Sequence, residues 1–227
     1  MHMSGAAASW DAEYASGRYQ HQPPEPFVSD ILAAARRERL TKGLYIGCGN
    51  GRNLLPLVDG GLDLIGVDIS TEAIAGLRAR HPALCENLIV GDLSTLPPST
   101  QYDLVIGIQV FQHGTRAEAH HHLRAAAARV SANGLLCVRV NATETDVEHT
   151  HDRVEEDADD GSFTVRYHSG PKAGLDIHFF TRTELCTIVG HGFIDVLPPR
   201  LSTTARTPPS RGHWSQWEVI WRHVPTN

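Results

Sequence analysis

Three glycines at alternate positions, Gly47, Gly49 and Gly51, follow the short apolar run Leu44-Tyr45-Ile46 and lead into Arg52-Asn53-Leu54-Leu55-Pro56-Leu57-Val58. This pattern predicts a strand that turns through glycines into a helix. Bare backbone in such a turn lets a ligand come close, with N–H groups pointing at it. No other stretch constrains the chain as much, because a strand, glycine turn and helix in succession is the building unit of an open α/β sheet. The spacing departs from the dinucleotide fingerprint Gly-x-Gly-x-x-Gly. Counted from Gly47 the last glycine falls on Arg52, and counted from Gly49 it falls on Leu54. The third glycine, with which a nicotinamide site packs helix on strand, is missing. A nicotinamide oxidoreductase is therefore disfavoured.

Two acids follow at informative places. Leu62-Asp63-Leu64-Ile65-Gly66-Val67-Asp68 reads as a buried strand ending in a carboxylate. Asp68 stands roughly 20 residues past the glycine turn, where an open α/β sheet puts the acid that takes ribose hydroxyls. Ser70 or Thr71 is suited to cap the next helix, with Glu72 in its first turn. Leu88-Ile89-Val90-Gly91-Asp92 reads as a third strand end. There Asp92 is placed to accept from an exocyclic amine, while Leu93 or Leu96 covers a ring face.

Strand and helix patterns alternate over the first 140 residues, which implies a parallel sheet. Strands are expected near 44–47, 62–67, 87–91, 102–108 and 134–140, and helices near 27–40, 52–59, 71–80 and 115–131. Residues 162–168 and 175–180 alternate like a hairpin around the turn Ser169–Gly174, and a helix capped by Thr181 or Thr183 follows. Phe193–Leu197 and Trp214–Arg222 are expected as final, antiparallel strands. The fold class is α/β: a Rossmann-like doubly wound sheet, mostly parallel with an antiparallel last strand, plus a β-hairpin and lid insert after the fifth strand. Residues 1–9 read as a disordered leader and 10–227 as one domain, with an N-terminal flap and helix over 10–40 and an acidic lid and hairpin insert over 141–180.

The chain has 227 residues and a net charge of −6. That balance argues against a large nucleic-acid footprint, which is normally basic. No apolar run reaches the length of a membrane span, and the N-terminus lacks the basic start and apolar core of a signal peptide. Cys48, Cys85, Cys137 and Cys186 form no Cys-x-x-Cys pair and read as reduced thiols, so a cytoplasmic protein is expected. The oligomeric state stays open, a homodimer included.

The glycine loop, the acid and the Gly-Asp pair together resemble class I S-adenosylmethionine-dependent methyltransferases. The wording Gly47-Cys48-Gly49-Asn50-Gly51-Arg52-Asn53 is similar to the tellurite-resistance and thiol/thiopurine type of small-molecule methyltransferase. Trp10-Asp11-Ala12-Glu13-Tyr14-Ala15-Ser16-Gly17 resembles the segment that in this group folds over the methionine end of the cofactor. The resemblance implies S-adenosyl-L-methionine as cofactor and S-adenosyl-L-homocysteine as product. It implies cofactor contacts at Tyr14, Tyr19, Gly47, Cys48, Gly49, Asn50, Arg52, Asn53, Asp68, Ile69, Gly91, Asp92, Leu93 and Gln109. One departure is Tyr45, where many members carry an acid that helps hold the cofactor's amino group.

Methyl transfer is an in-line displacement that needs a base only if the acceptor must lose a proton early. Histidine is the natural base near neutral pH, and the candidates are His113, His149, His151 and His178. His113 lies in the loop after the strand ending at Ile108, at the expected ligand edge. A working histidine would give the pH–rate profile a limb near the ordinary imidazole pKa. His149-Thr150-His151 lacks a specified third ligand, so no metal is expected there. His120-His121-His122 reads as the solvent side of a helix, and the acidic run 144–160 as a solvated segment or an electrostatic lure for a cationic acceptor. The expected function is methyl transfer from S-adenosylmethionine to an O, N or S nucleophile on a small molecule. The alternatives are a non-catalytic nucleoside-binding module and a protein methyltransferase.

Overall fold

The computed structural model describes residues 3–17, 19 and 21–225. Seven strands form one sheet: β1 (Lys42–Ile46), β2 (Asp63–Asp68), β3 (Leu88–Val90), β4 (Tyr102–Ile108), β5 (Val130–Asn141), β9 (Phe193–Ala205) and β10 (His213–His223). Their order is β3-β2-β1-β4-β5-β10-β9. The first five pair in parallel, and β10 runs antiparallel between β5 and β9. After β1 the chain winds outward to β2 and β3, then returns to lay β4 on the other side of β1. The crevice at the carboxyl ends of β1 and β4 is thus the switch point where an open α/β sheet binds ligands.

Helices α1 (Met3–Ala15), α2 (Phe27–Glu38), α3 (Leu54–Asp59), α4 (Thr71–Arg80), α5 (Arg116–Ala127) and α6 (Arg182–Val189) flank the sheet. The local signals match these boundaries. In α2 the buried residues Phe27, Val28, Ile31, Ala34 and Ala35 make one stripe at helical spacing. Ser70 accepts from Ala73 N–H at the start of α4, Thr115 and Glu118 form a capping box on α5, and Thr181 accepts from Glu184 N–H on α6. One core layer gathers Phe27, Ile31, Leu64, Leu104 and Leu135, and the other gathers Val105, Leu123, Leu136, Val138 and Trp217.

Three features differ from the sequence reading. The expected leader is helical from Met3 onward, and residues 1 and 2 lie outside the described residues. Ala6, Ala7 and Ala8 are strong helix formers, and Asp11 anchors the helix by accepting from Ser70 Oγ at 2.6 Å and from Glu72 N–H at 3.1 Å. Strand β9 runs on to Ala205 because β10 pairs with it along that length. The insert gains a third strand: β6 (His151–Glu156), β7 (Phe163–Tyr167) and β8 (Asp176–Phe179) form a small antiparallel sheet. Every residue of β8 is buried. Ile177 and Phe179 join the insert's own core, while Asp176 pairs with Arg166 and His178 with Glu184. All four cysteines are free; Cys48 and Cys137 are buried and Cys186 is exposed.

Candidate active site

The glycine loop leaves β1 with Gly47 at φ +69° and Gly49 at φ +53°, both in the left-handed region that glycine adopts without penalty. A Cβ on Gly47 would stand 2.6 Å from Val110, and one on Gly49 would run into the Tyr14 hydroxyl. Gly47 N–H donates to Val67 C=O at 2.8 Å, which ties the loop to β2. Gly49 N–H then donates to Asp68 Oδ2 at 2.7 Å and Ser70 N–H to Oδ1 at 2.8 Å. Burial raises the Asp68 carboxyl pKa, and these two backbone donors oppose the rise. Each carboxylate oxygen keeps a second lone pair, so Asp68 retains capacity for two hydroxyls. The glycine cradle and this acceptor fit a nucleoside with a free ribose edge.

The other expected cofactor contacts fall into two groups. Gly91 ends β3 at φ +145°, and Asp92 Oδ1 accepts from Ser94 N–H at 2.8 Å, shaping the turn that carries the half-buried Leu93. Ile69 is also half-buried, between the Asp68 carboxylate and the start of α4. Gln109 takes φ +60°, and its N–H donates to Arg139 C=O at 2.7 Å, pinning the end of β4 against β5. By contrast, Asn50, Arg52 and Asn53 hold the N-terminal segment across the loop. Asn50 Nδ2 donates to Tyr19 C=O at 3.0 Å, Asn53 Oδ1 accepts from Glu25 N–H at 2.8 Å, and Arg52 pairs with Glu25 at 2.7 Å.

That segment covers the crevice. Trp10, Tyr14 and Tyr19 cluster with ring centroids 5.8–6.3 Å apart, and Trp10 meets His113 edge-on at 5.2 Å. Burial, and next the Asp68 charge, push the Tyr14 phenol pKa up, so it stays a neutral donor. Glu25 continues into a buried network: it pairs with Arg139 at 3.0 Å, which pairs with Glu218 at 3.0 Å. Tyr45, which replaces the usual acid, is a fully buried strand residue beside Asn53. Sequence spacing gives no signal for Glu25 and Arg139, since they meet only through the fold.

On the acceptor side the four histidines part company. His113 bridges Ile177 of β8, so the insert does meet the loop after β4. Its Nε2 lies 3.2 Å from Gln109 C=O and therefore carries the proton, while the buried Nδ1 has no partner. Burial, with the Lys172 charge second, lowers its pKa to about 3. The expected limb near the ordinary imidazole pKa is corrected accordingly: this ring stays neutral through the physiological range. The Gln112 amide beside it is fully buried with neither Oε1 nor Nε2 bonded.

His178 has Nδ1 on the Thr164 hydroxyl of the insert at 3.0 Å and Nε2 on Glu184 of α6 at 3.1 Å, so both nitrogens are engaged away from the crevice. His149 and His151 gather around Tyr167, with His151 Nδ1 on His149 C=O at 2.7 Å. The structure thus places one of the four, His113, against the cofactor flap, and seats the other three in the insert. Two residues escaped the sequence reading. Lys172, one of only two lysines, lies close enough to His113 for its charge to act there, and burial lowers its pKa to about 8. His120 turns inward from the expected solvent face to meet Glu184 at 2.6 Å.

Residues 44–134 match the model of the methyltransferase domain family. Solved structures share the fold over nearly the whole chain. One is the 1,6-didemethyltoxoflavin-N1-methyltransferase of Burkholderia thailandensis, at 17% identity and TM-score 0.63, covering 99% of this chain and 92% of that one. TehB of Haemophilus influenzae matches at 17% identity and TM-score 0.63, covering 94% and 67%. CalS10 of Micromonospora echinaspora, an amino pentose methyltransferase, matches at 18% identity and TM-score 0.56, covering 91% and 96%. No curated protein sequence matches. Residues 44–134 thus carry a methyltransferase-domain sequence, and nearly the whole chain shares the fold of these solved methyltransferase structures. The domain match spans β1 through α5, and β5, β10 and β9 complete the sheet. No described helix is long and apolar enough to cross a membrane.

Proposed function

We propose that the protein is a cytoplasmic enzyme that methylates a small-molecule acceptor held between the glycine loop and the loop 109–114. When bound, S-adenosylmethionine supplies an electrophilic methyl carbon on a sulfonium. Asp68 would take the ribose hydroxyls and Asp92 the adenine amine, with Leu93 and Ile69 against the ring. Trp10, Tyr14 and Tyr19 would close over the methionine end and exclude water. Chemistry then rests on aligning the nucleophile with the methyl carbon, which is worth more here than any acid or base.

The observation that carries this reading is the bare Nδ1 of His113 beside the unbonded amide of Gln112, both buried at the switch point. Buried polar groups are normally satisfied, so the pair fits a ligand that donates to His113 Nδ1 or Gln112 Oε1 and accepts from Gln112 Nε2. His113 Nδ1 would accept a hydrogen bond from the nucleophile and turn its lone pair toward the methyl carbon. Where the nucleophile must lose a proton, His113 Nδ1 would be the group that accepts it. Two of the fold neighbours named above act on nitrogenous small molecules by their names. The net charge of −6 disfavours a nucleic-acid acceptor.

The test is a panel of thiols, amines, phenols and carboxylates, with S-adenosylhomocysteine measured as product. One acceptor class should give stoichiometric product. Tight S-adenosylmethionine binding with no product from any small molecule would turn the reading toward a non-catalytic binding module.

A further inference from the structure

Among the described residues, a concentrated set of ligand atoms lies outside the cleft, where the insert meets α5 and α6. His120 from α5, His178 from β8 and Glu184 from α6 bring their ligand atoms within 4.8 Å of one another. His178 Nε2 lies 3.1 Å from Glu184 Oε2, and His120 Nε2 lies 2.6 Å from Oε1. His178 and Glu184 are almost wholly buried, and His120 mostly so. The Thr164 hydroxyl on His178 Nδ1 at 3.0 Å orients that ring from behind, the outer partner that a metal-ligating histidine normally has. A cavity of about 90 Å³ opens beside His120 and Glu184.

The surrounding charge leaves room for a cation. Arg116 pairs with Asp157 at 2.7 Å and with Asp160 at 3.1 Å, so two carboxylates other than Glu184 already match it. Glu155 accepts from Arg116 N–H at 2.7 Å, and Arg124 lines the cavity. Four carboxylates thus face two guanidinium groups, a deficit of two positive charges when both imidazoles are neutral. Arg116 Nε stays on Glu184 Oε1 at 2.8 Å, which leaves Oε2 for an ion.

We propose that His120, His178 and Glu184 bind one divalent transition-metal ion, with Zn²⁺ favoured by the two-imidazole, one-carboxylate ligand set and a fourth position open to the cavity. Bond lengths of about 2.0–2.1 Å in a tetrahedron put ligand atoms about 3.3 Å apart. His178 and Glu184 already stand near that spacing, and since all ligand atoms of the set lie within 4.8 Å of one another, His120 needs to move by no more than about 1.5 Å. The ion would clip β8 to α5 and α6. Because His178 N–H donates to Gln112 C=O at 2.8 Å, it would also steady the loop that carries His113.

The experiment uses the full chain after removal of metals with a chelator. Co²⁺ is titrated with visible absorption as the readout, then displaced by Zn²⁺, and the melting temperature is followed in both states. One equivalent of Co²⁺ should give ligand-field bands that Zn²⁺ abolishes, and Zn²⁺ should raise the melting temperature. His120→Ala, which truncates a single partly buried side chain of α5, should keep the circular dichroism spectrum but weaken binding by more than about 100-fold, beyond the loss for an outer partner. The double variant His149→Ala/His151→Ala should bind as the wild type does. The absence of saturable one-equivalent binding in the wild type would overturn the site. Binding that survives His120→Ala, or that is lost with His149 and His151, would overturn it equally.

Discussion

The cofactor crevice and the insert use polar groups in opposite ways. In the crevice, Asp68 is held by backbone donors of Gly49 and Ser70, groups that come with the strand ends. Where the insert meets α5 and α6, Glu184 collects the side chains of Arg116, His120, Ser162 and His178 from separate elements. The first arrangement follows from local backbone geometry and asks for glycine and an acid at set places. The second exists only once distant segments have docked. A binding site that every substrate of a reaction class shares is therefore written into short motifs. The packing of the insert against α5 and α6 is written into long-range contacts.

The largest expected effect lies in the crevice. Gly49→Val puts a branched side chain at φ +53° and drives it into Tyr14, so S-adenosylmethionine binding should disappear while the circular dichroism spectrum persists. Gly61, at φ +99° with no atom near its would-be Cβ, supplies the contrast. Gly61→Ala should strain the backbone alone and leave affinity within about twofold. Normal binding by Gly49→Val would mean that the loop does not touch the ligand.

A smaller effect is expected where crevice and insert meet. His113→Ala should lower turnover by about 10²-fold, the low end for a positioned base, because a ring with a pKa of about 3 is a weak one. S-adenosylmethionine affinity should hardly change. The sign of the pH dependence follows from burial: the imidazole is neutral above about pH 3, so it adds no limb between pH 5 and 8. The wild-type and variant profiles should then run parallel over that range. A limb near pH 6.5 that vanishes in the variant would show a solvated His113, contrary to its place under Trp10. Unchanged turnover would leave catalysis to alignment alone.

These differences explain what could be read from residues. Gly47 to Gly51, Asp68 and Gly91-Asp92 announce the strand ends because chain order and spacing determine where they fall. The caps Ser70 and Thr181, each offered beside an alternative, were legible for the same reason. Asn50, Arg52 and Asn53 share the motif's wording, yet they clamp Tyr19 and Glu25, whose positions have no local signature. The inward turn of His120 depends on Glu184, 64 residues away, so helix periodicity alone could not find it. Lys172 reaches His113 only because β8 docks beside the loop after β4.

The most direct test of the central claim is calorimetric titration of S-adenosylmethionine into the wild type and into Asp68→Ala. The account predicts one molecule per chain for the wild type. In the variant, loss of hydrogen bonds to a charged group, worth about 1.5–3 kcal/mol, should weaken binding by about 10- to 150-fold while the fold is kept. Equal affinity in a folded Asp68→Ala, or no binding by the wild type, would contradict it.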